Sequence, residues 1–320
     1  MTQARGFFKT VKGVYETTYG TIPTSGEATM IQLPYNTFDM GSDEEMIDPQ
    51  TIRGNRYQAE PAFGNISVMG SASVPIDVRN IGYWLRLLLG NPSTSGSGTY
   101  THTFDPANSL PSMTIEQGFS DVSVYNVFSG VKVNSMSMTF EPSQEVTANI
   151  EMLGKAESSP ASSSRDTSPN TVVFDRYNAK NISMEKGGAS ISTISKIDLT
   201  IRNELADNIY CLDGTGFRNS LPETNFVVEG TMETLFEDAS IYNEAISGTE
   251  TSLEITLASG TNSLVFYIYE LKFPRKPLSS SGSEPVFLEL PFKAYFQDNA
   301  QSVPLRVTLV NDVANYTMGA

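Results

Sequence analysis

SGVKVNSMSMTFEPSQEVTANIEML, residues 129–153, carries a strand pattern around which the rest of the chain can be ordered. Before its centre, Met136, Met138 and Phe140 alternate with Ser135, Ser137 and Thr139; after it, Val146, Ala148, Ile150 and Met152 alternate with Thr147, Asn149 and Glu151. Alternation of period two gives each strand one apolar and one wet face. Glu141, Pro142, Ser143 and Gln144 form the turn, so the stretch reads as a long hairpin. Its wet face is small and hydroxylic where a free surface more often carries Lys and Glu, and it is expected to line something.

Composition agrees with a β protein. Short β-branched and aromatic runs among 24 Gly, 17 Pro and many Ser and Thr predict a mainly β chain with many turns. At 320 residues it has room for two domains of ordinary size. With 36 acidic against 21 basic residues the net charge is −15, which disfavours nucleic-acid binding through neutralised phosphates. Cys211 is the one cysteine, so an intrachain disulfide and a cysteine-based zinc site are excluded; a small core or interface residue is expected there, in a chain suited to a reducing cytoplasm. The N-terminus lacks a signal-peptide pattern and no run approaches a membrane span, so a soluble, unexported chain is expected.

In chain order, residues 4–16 form a basic-aromatic arm that either clamps a neighbour or folds onto its own domain. A strand over 30–39 precedes the acidic run Ser42 to Pro49, which lacks calcium-loop spacing and reads as a solvated loop. A strand over 64–76 leads to the clearest helix, 81–89, with Asp77 as N-cap and Gly90 after its end; its broad apolar stripe is expected to plug the open end of a β-sandwich. Residues 91–98, NPSTSGSG, read as a flexible loop, and 100–104 and 112–117 as strands.

The Ser/Pro-rich stretch 158–170 reads as a linker between a first domain, 1–157, and a second, 171–320. Beyond it the order recurs: strands over 194–202 and 225–236, a helix over 238–246 closed by Gly248, then strands over 253–257, 264–273, 286–296 and 304–310. NISVMG at 65–70 aligns with NFVVEG at 225–230, an offset of 160, which sets Asp77 beside Asp238 and Tyr83 beside Tyr242. The chain therefore reads as a tandem duplication. The second hairpin then spans 264–296 with Ser280, Ser281 and Gly282 at its tip, and Glu270, Lys272, Glu289 and Lys293 interrupt its apolar pattern.

No catalytic constellation emerges. His102 is the one histidine and sits in a strand-like run without a nucleophile elbow nearby; no cofactor or metal is expected.

VRNIGYWL at 78–85, LLGNP at 88–92, YTHTF at 100–104, LPSMTIE at 110–116 and SGVKVNS at 129–135 resemble the tail tube proteins of long-tailed bacteriophages. That resemblance covers residues 51–154 well and the second half by its strand-helix-strand plan. It implies two β-sandwich or β-barrel domains, each with a flanking short helix and a long hairpin that joins a closed β-barrel ring. Rings stack into a tube in the virion tail, and DNA passes down the lumen without specific binding. It further implies assembly in the host cytoplasm and contacts with itself and with tape measure, tail terminator and distal tail proteins. Family rings are usually six-fold with one tube domain per chain, so a duplicated chain is expected to close a ring with three copies. Ser135, Ser137, Thr139, Thr147, Asn149 and Glu151 would then face the lumen, where excess carboxylates repel phosphates, and Glu270, Lys272, Glu289 and Lys293 the lumen or a subunit seam. The alternative is a non-enzymatic β-sandwich binding or decoration module presenting Tyr15, Tyr19, Tyr100 and Tyr125 on loops.

Overall fold

The computed structural model describes residues 3–24, 29–142, 144–278 and 285–316. Ser143, Ser280, Ser281 and Gly282, four of the seven residues expected at hairpin tips, lie outside these residues. In the first half run β1 (Lys9–Tyr15), β2 (Ile31–Gln32), β3 (Thr37–Ile47), β4 (Ala62–Pro75), α1 (Ile81–Leu89), β5 (Ser93–Ser97), β6 (Thr99–Phe104), β7 (Met113–Phe119), β8 (Val124–Phe140), β9 (Thr147–Gly154) and β10 (Ala156–Ala161). The second half supplies β11 (Ile182–Lys186), β12 (Ala189–Ser190), β13 (Ile194–Arg202), β14 (Val227–Leu235), α2 (Ser240–Ser247), β15 (Thr251–Ser259), β16 (Asn262–Lys272), β17 (Phe287–Ala294) and β18 (Leu305–Asn311). The chain is mainly β, with antiparallel pairing between its strands.

The opening hairpin folds as its alternation dictates: Met136, Met138, Phe140, Ala148, Ile150 and Met152 are buried, while Thr139, Asn149 and Glu151 face out. β8 begins earlier than expected. Its first part pairs with β7 and β10 and its second with β9 and β13, so one strand passes between two layers.

α1 is apolar nearly all round, and only Arg86 among its nine residues escapes burial. Such a helix must lie inside the molecule. Asn80, not Asp77, is the N-cap residue by position, but the Asp77 carboxylate accepts the Ile81 N–H at 3.0 Å and the Asn80 amide at 2.7 Å, so it does the capping from outside the helix. The far end of the chain covers α1. Tyr316 is 1 % exposed, its hydroxyl donates to the Arg79 carbonyl at 2.8 Å, and a Cβ on Gly82 would sit 2.1 Å from its ring. Gly82→Ala should therefore lower stability by about 1–3 kcal/mol through overpacking. Thermal unfolding measures it, and a neutral result would mean that Tyr316 does not seat on the helix.

Several expectations need correction. Of the two readings of the N-terminal arm, the clamp gives way to the arm folded onto its own domain: β1 pairs with β7 over its whole length and buries Val11, Val14 and Tyr15. The acidic run is the end of β3, paired with β4, although its side chains are solvated as expected. NPSTSGSG contains β5, turned onto β6 through Gly96 and Gly98 at positive φ. The stretch 158–170 is no free linker. Residues 158–161 belong to β10, and buried Glu116 clasps the segment just beyond that strand, accepting the Ser164 hydroxyl and the Arg165 N–H, each at 2.6 Å. The buried apolar side chains of both halves form one connected cluster from Val11 to Tyr316.

Candidate functional site

The dominant feature is a wall of seven antiparallel strands in the order β3-β4-β9-β8-β13-β14-β17, with the last two residues of β16 beside the end of β17. One face packs on the core. The other is open and carries nine of the ten residues expected at a lumen or seam. Ser135 stands opposite Glu151, Ser137 opposite Asn149, Thr147 opposite Pro75, and Thr139 opposite Asp198 on β13. Farther along, Glu289 faces Glu233, and Lys293 lies between Glu229 and Lys272. Glu270 is the exception. A bulge where β15 meets β16 turns it off the face; it is 2 % exposed and accepts the N–H groups of Gln297, Asp298 and Asn299 at 2.7, 3.0 and 3.1 Å. Burial alone would raise its pKa, but these bonds outweigh that and hold the carboxyl below the usual range. It anchors a loop.

The open face neutralises most of its own cations. Arg202 reaches Glu229 at 2.6 Å, Lys196 reaches Asp198 at 3.0 Å and Lys293 reaches Glu229 at 3.8 Å. Hydroxyls cover part of the acid: Ser135 donates to Glu151 at 2.8 Å and Thr139 to Asp198 at 2.6 Å. With Asp39, Glu151, Asp198, Glu229, Glu233 and Glu289 against Lys196, Arg202, Lys272 and Lys293, carboxylates stay in excess.

The pairings occur twice. β1–β2, β1–β7, β3–β4, β4–β9, β7–β8, β8–β9 and β8–β10 correspond one for one to β11–β12, β11–β15, β13–β14, β14–β17, β15–β16, β16–β17 and β16–β18. Details recur as well. Gly70 and Gly230 hold the same place, where a Cβ would meet the Asp39 or the Asp198 carbonyl at 2.6 or 2.2 Å. Both halves carry a bulge at the same register, between Met113 and Ile115 against β8 and between Thr251 and Leu253 against β16. The pairing β8–β13 joins the two halves. There Phe140, opposite Ile197, pushes its ring to 6.0 Å from Phe266 of the second half.

Among the described residues, two edges of the wall remain without a strand. β3 pairs with β4 alone, and β17 has no strand beside Phe287 to Phe292 on the side where β9 has β8. The hairpin expected to join neighbours, β8–β9, is thus spent inside the chain, and the outer edges fall to β3 and to the segment after Lys272.

Among the described residues there is no cluster of three or more His, Cys, Asp or Glu able to hold a metal ion. No helix there is long and apolar enough to cross a membrane. His102 is buried; its Nε2 faces the Val313 carbonyl at 2.9 Å and so carries the proton, leaving Nδ1 to accept from Thr94 at 2.8 Å. Burial lowers its pKa, as for a structural histidine. Cys211 is exposed rather than in the core. Tyr15 is buried and Tyr19, Tyr100 and Tyr125 are half-buried, so the surface aromatics that a binding module needs are not these. The exposed apolar residues Met46, Ile52, Tyr57 and Phe63 gather instead around the β3–β4 connection, which follows the acidic run.

A protein-family model described as phage tail tube protein matches residues 9–294. No curated protein matches the chain.

Proposed function

The chain belongs to the phage tail tube protein family, and from that premise we propose that it is the subunit of rings that stack into the tube of a long-tailed phage, three chains to a ring. The observation that carries this reading is the β8–β13 joint. It links two halves with the same seven pairings, and the same two kinds of edge stand free at the ends of the wall. Exposed strand edges invite pairing, and a closed barrel removes them. Repetition of the internal joint between chains, from the end of β16 onto β3 of the next, closes the wall by cyclic symmetry. Two domains, meeting after β10, then each supply one segment of the ring.

The open face becomes the lumen. Hydroxyls and self-paired cations offer passing phosphates no grip, and the surplus carboxylates repel them, so DNA slides without being bound. The role is structural and non-enzymatic. Assembly in the host cytoplasm, with tape measure, terminator and distal tail proteins at the ends of the tube, completes the reading.

Electron microscopy of the purified chain should show rings or tubes; a monodisperse monomer under all assembly conditions would overturn the proposal. Thr139→Lys with Asn149→Lys should leave tubes intact but slow genome ejection, because each unpaired ammonium attracts phosphate by about 1 kcal/mol at contact in water. Normal ejection kinetics in phage carrying both changes would place this face elsewhere.

A further inference from the structure

Two connections leave the same end of the wall, residues 48–61 between β3 and β4 and residues 203–226 between β13 and β14. They share a tip at an offset of 160. Ile52 matches Leu212, both fully exposed; Gly54 and Gly214 have φ of 74° and 78°; Asn55 accepts the Tyr57 N–H at 3.0 Å as Thr215 accepts the Phe217 N–H at 3.3 Å.

Their surroundings differ. The second connection lies across the first half. Phe217 bridges to Ile66, whose N–H donates to the Gly216 carbonyl at 2.8 Å, and the Tyr210 and Ser67 hydroxyls meet at 3.0 Å. Arg218, 2 % exposed, donates to the carbonyls of Val68 and Gly154 at 2.6 and 3.2 Å, and Glu223 pairs with Lys132 at 2.7 Å. The first connection has no such cover among the described residues: Tyr57, the counterpart of Phe217, is 73 % exposed.

The repeated register identifies the surface it lacks. The counterparts of Ile66, Val68, Gly154 and Lys132 are Phe226, Val228, Ala294 and Lys272, all on the second half. Lys272 is exposed and has no ion pair among the described residues, while Glu60 on the free connection approaches the sequence position of Glu223. We propose that residues 48–61 dock on the second half of an adjacent copy of this chain, Tyr57 against Phe226 and Glu60 toward Lys272, across the seam where β3 meets the neighbouring β16. This contact rests on the ring reading and adds to it an arm that straps each chain to the next.

The test compares free chain with assembled tubes by hydrogen–deuterium exchange on the unmodified protein. Amides of 48–61 and 224–228 should slow by roughly tenfold or more on assembly. In a Cys211→Ser background, Tyr57→Cys with Phe226→Cys should give interchain disulfides that end at ring size, as Ile66→Cys with Phe217→Cys should give an intrachain one in the monomer. Tubes in which 48–61 exchanges as in the free chain and the pair stays reduced would overturn this contact and leave the ring reading standing. Absence of any ring from the unmodified chain would overturn the ring reading and the contact with it.

Discussion

Phe140→Ala should cost about 3–5 kcal/mol of folding stability, among the largest losses from a single truncation in this chain. Phe140 is the last residue of β8 and only 1 % exposed. Its backbone faces Ile197 across the joint between the halves, and its ring meets that of Phe266 at 6.0 Å and 61°, an edge-to-face geometry. The cavity left by alanine would open where the first half plugs the core of the second, and neighbouring strands cannot collapse into it without breaking register. Denaturant unfolding should show a lower midpoint with an unchanged slope, since the surface exposed on unfolding stays the same. A loss below about 1 kcal/mol would mean that the two halves do not share a core at this joint.

Arg218→Ala should cost about 3 kcal/mol by stranding acceptors that the guanidinium now satisfies. The side chain is buried, donates to the carbonyls of Asp207, Val68 and Gly154 at 2.5, 2.6 and 3.2 Å, and lies 6.0 Å from the Tyr210 ring. No water can replace it without opening the connection, so residues 204–224 should become protease-sensitive before global unfolding. Arg218→Lys should rescue little, because a point charge cannot span acceptors placed for a planar fork. Full stability with lysine would show that charge, not geometry, holds this connection down.

The legible parts of the sequence were those set by local pattern. The alternation at 135–152 fixed the faces of β8 and β9, α1 runs over the residues that its apolar stripe and Gly90 delimit, and β13 spans 194–202 as read. What failed was set by partners distant in sequence. Asp43, Glu44 and Glu45 disfavour a strand on their own, yet β4 lies alongside and supplies the ladder. The second hairpin is paired only at Leu271 and Lys272, because β15 and β18 already flank the earlier part of β16. Glu270 left the open face through a bulge, which shifts the side-chain alternation by one residue and leaves no mark in composition. The offset of 160 holds through Gly70 and Gly230 but falls to 140 by Lys132 and Lys272, since the β5–β6 hairpin has no counterpart between α2 and β15. The fixed offset that found the repeat would misplace its later strands, but these were read from their own patterns and coincide with β15 to β18.

The measurement that bears most directly on the three-fold ring is the mass of isolated rings, by native mass spectrometry or by the rotational symmetry of single rings in electron microscopy. Two wall segments per chain predict three copies of the 34.9 kDa chain in each ring. Six copies would contradict it, and would mean that only one half of each chain builds the barrel while the other stands outside.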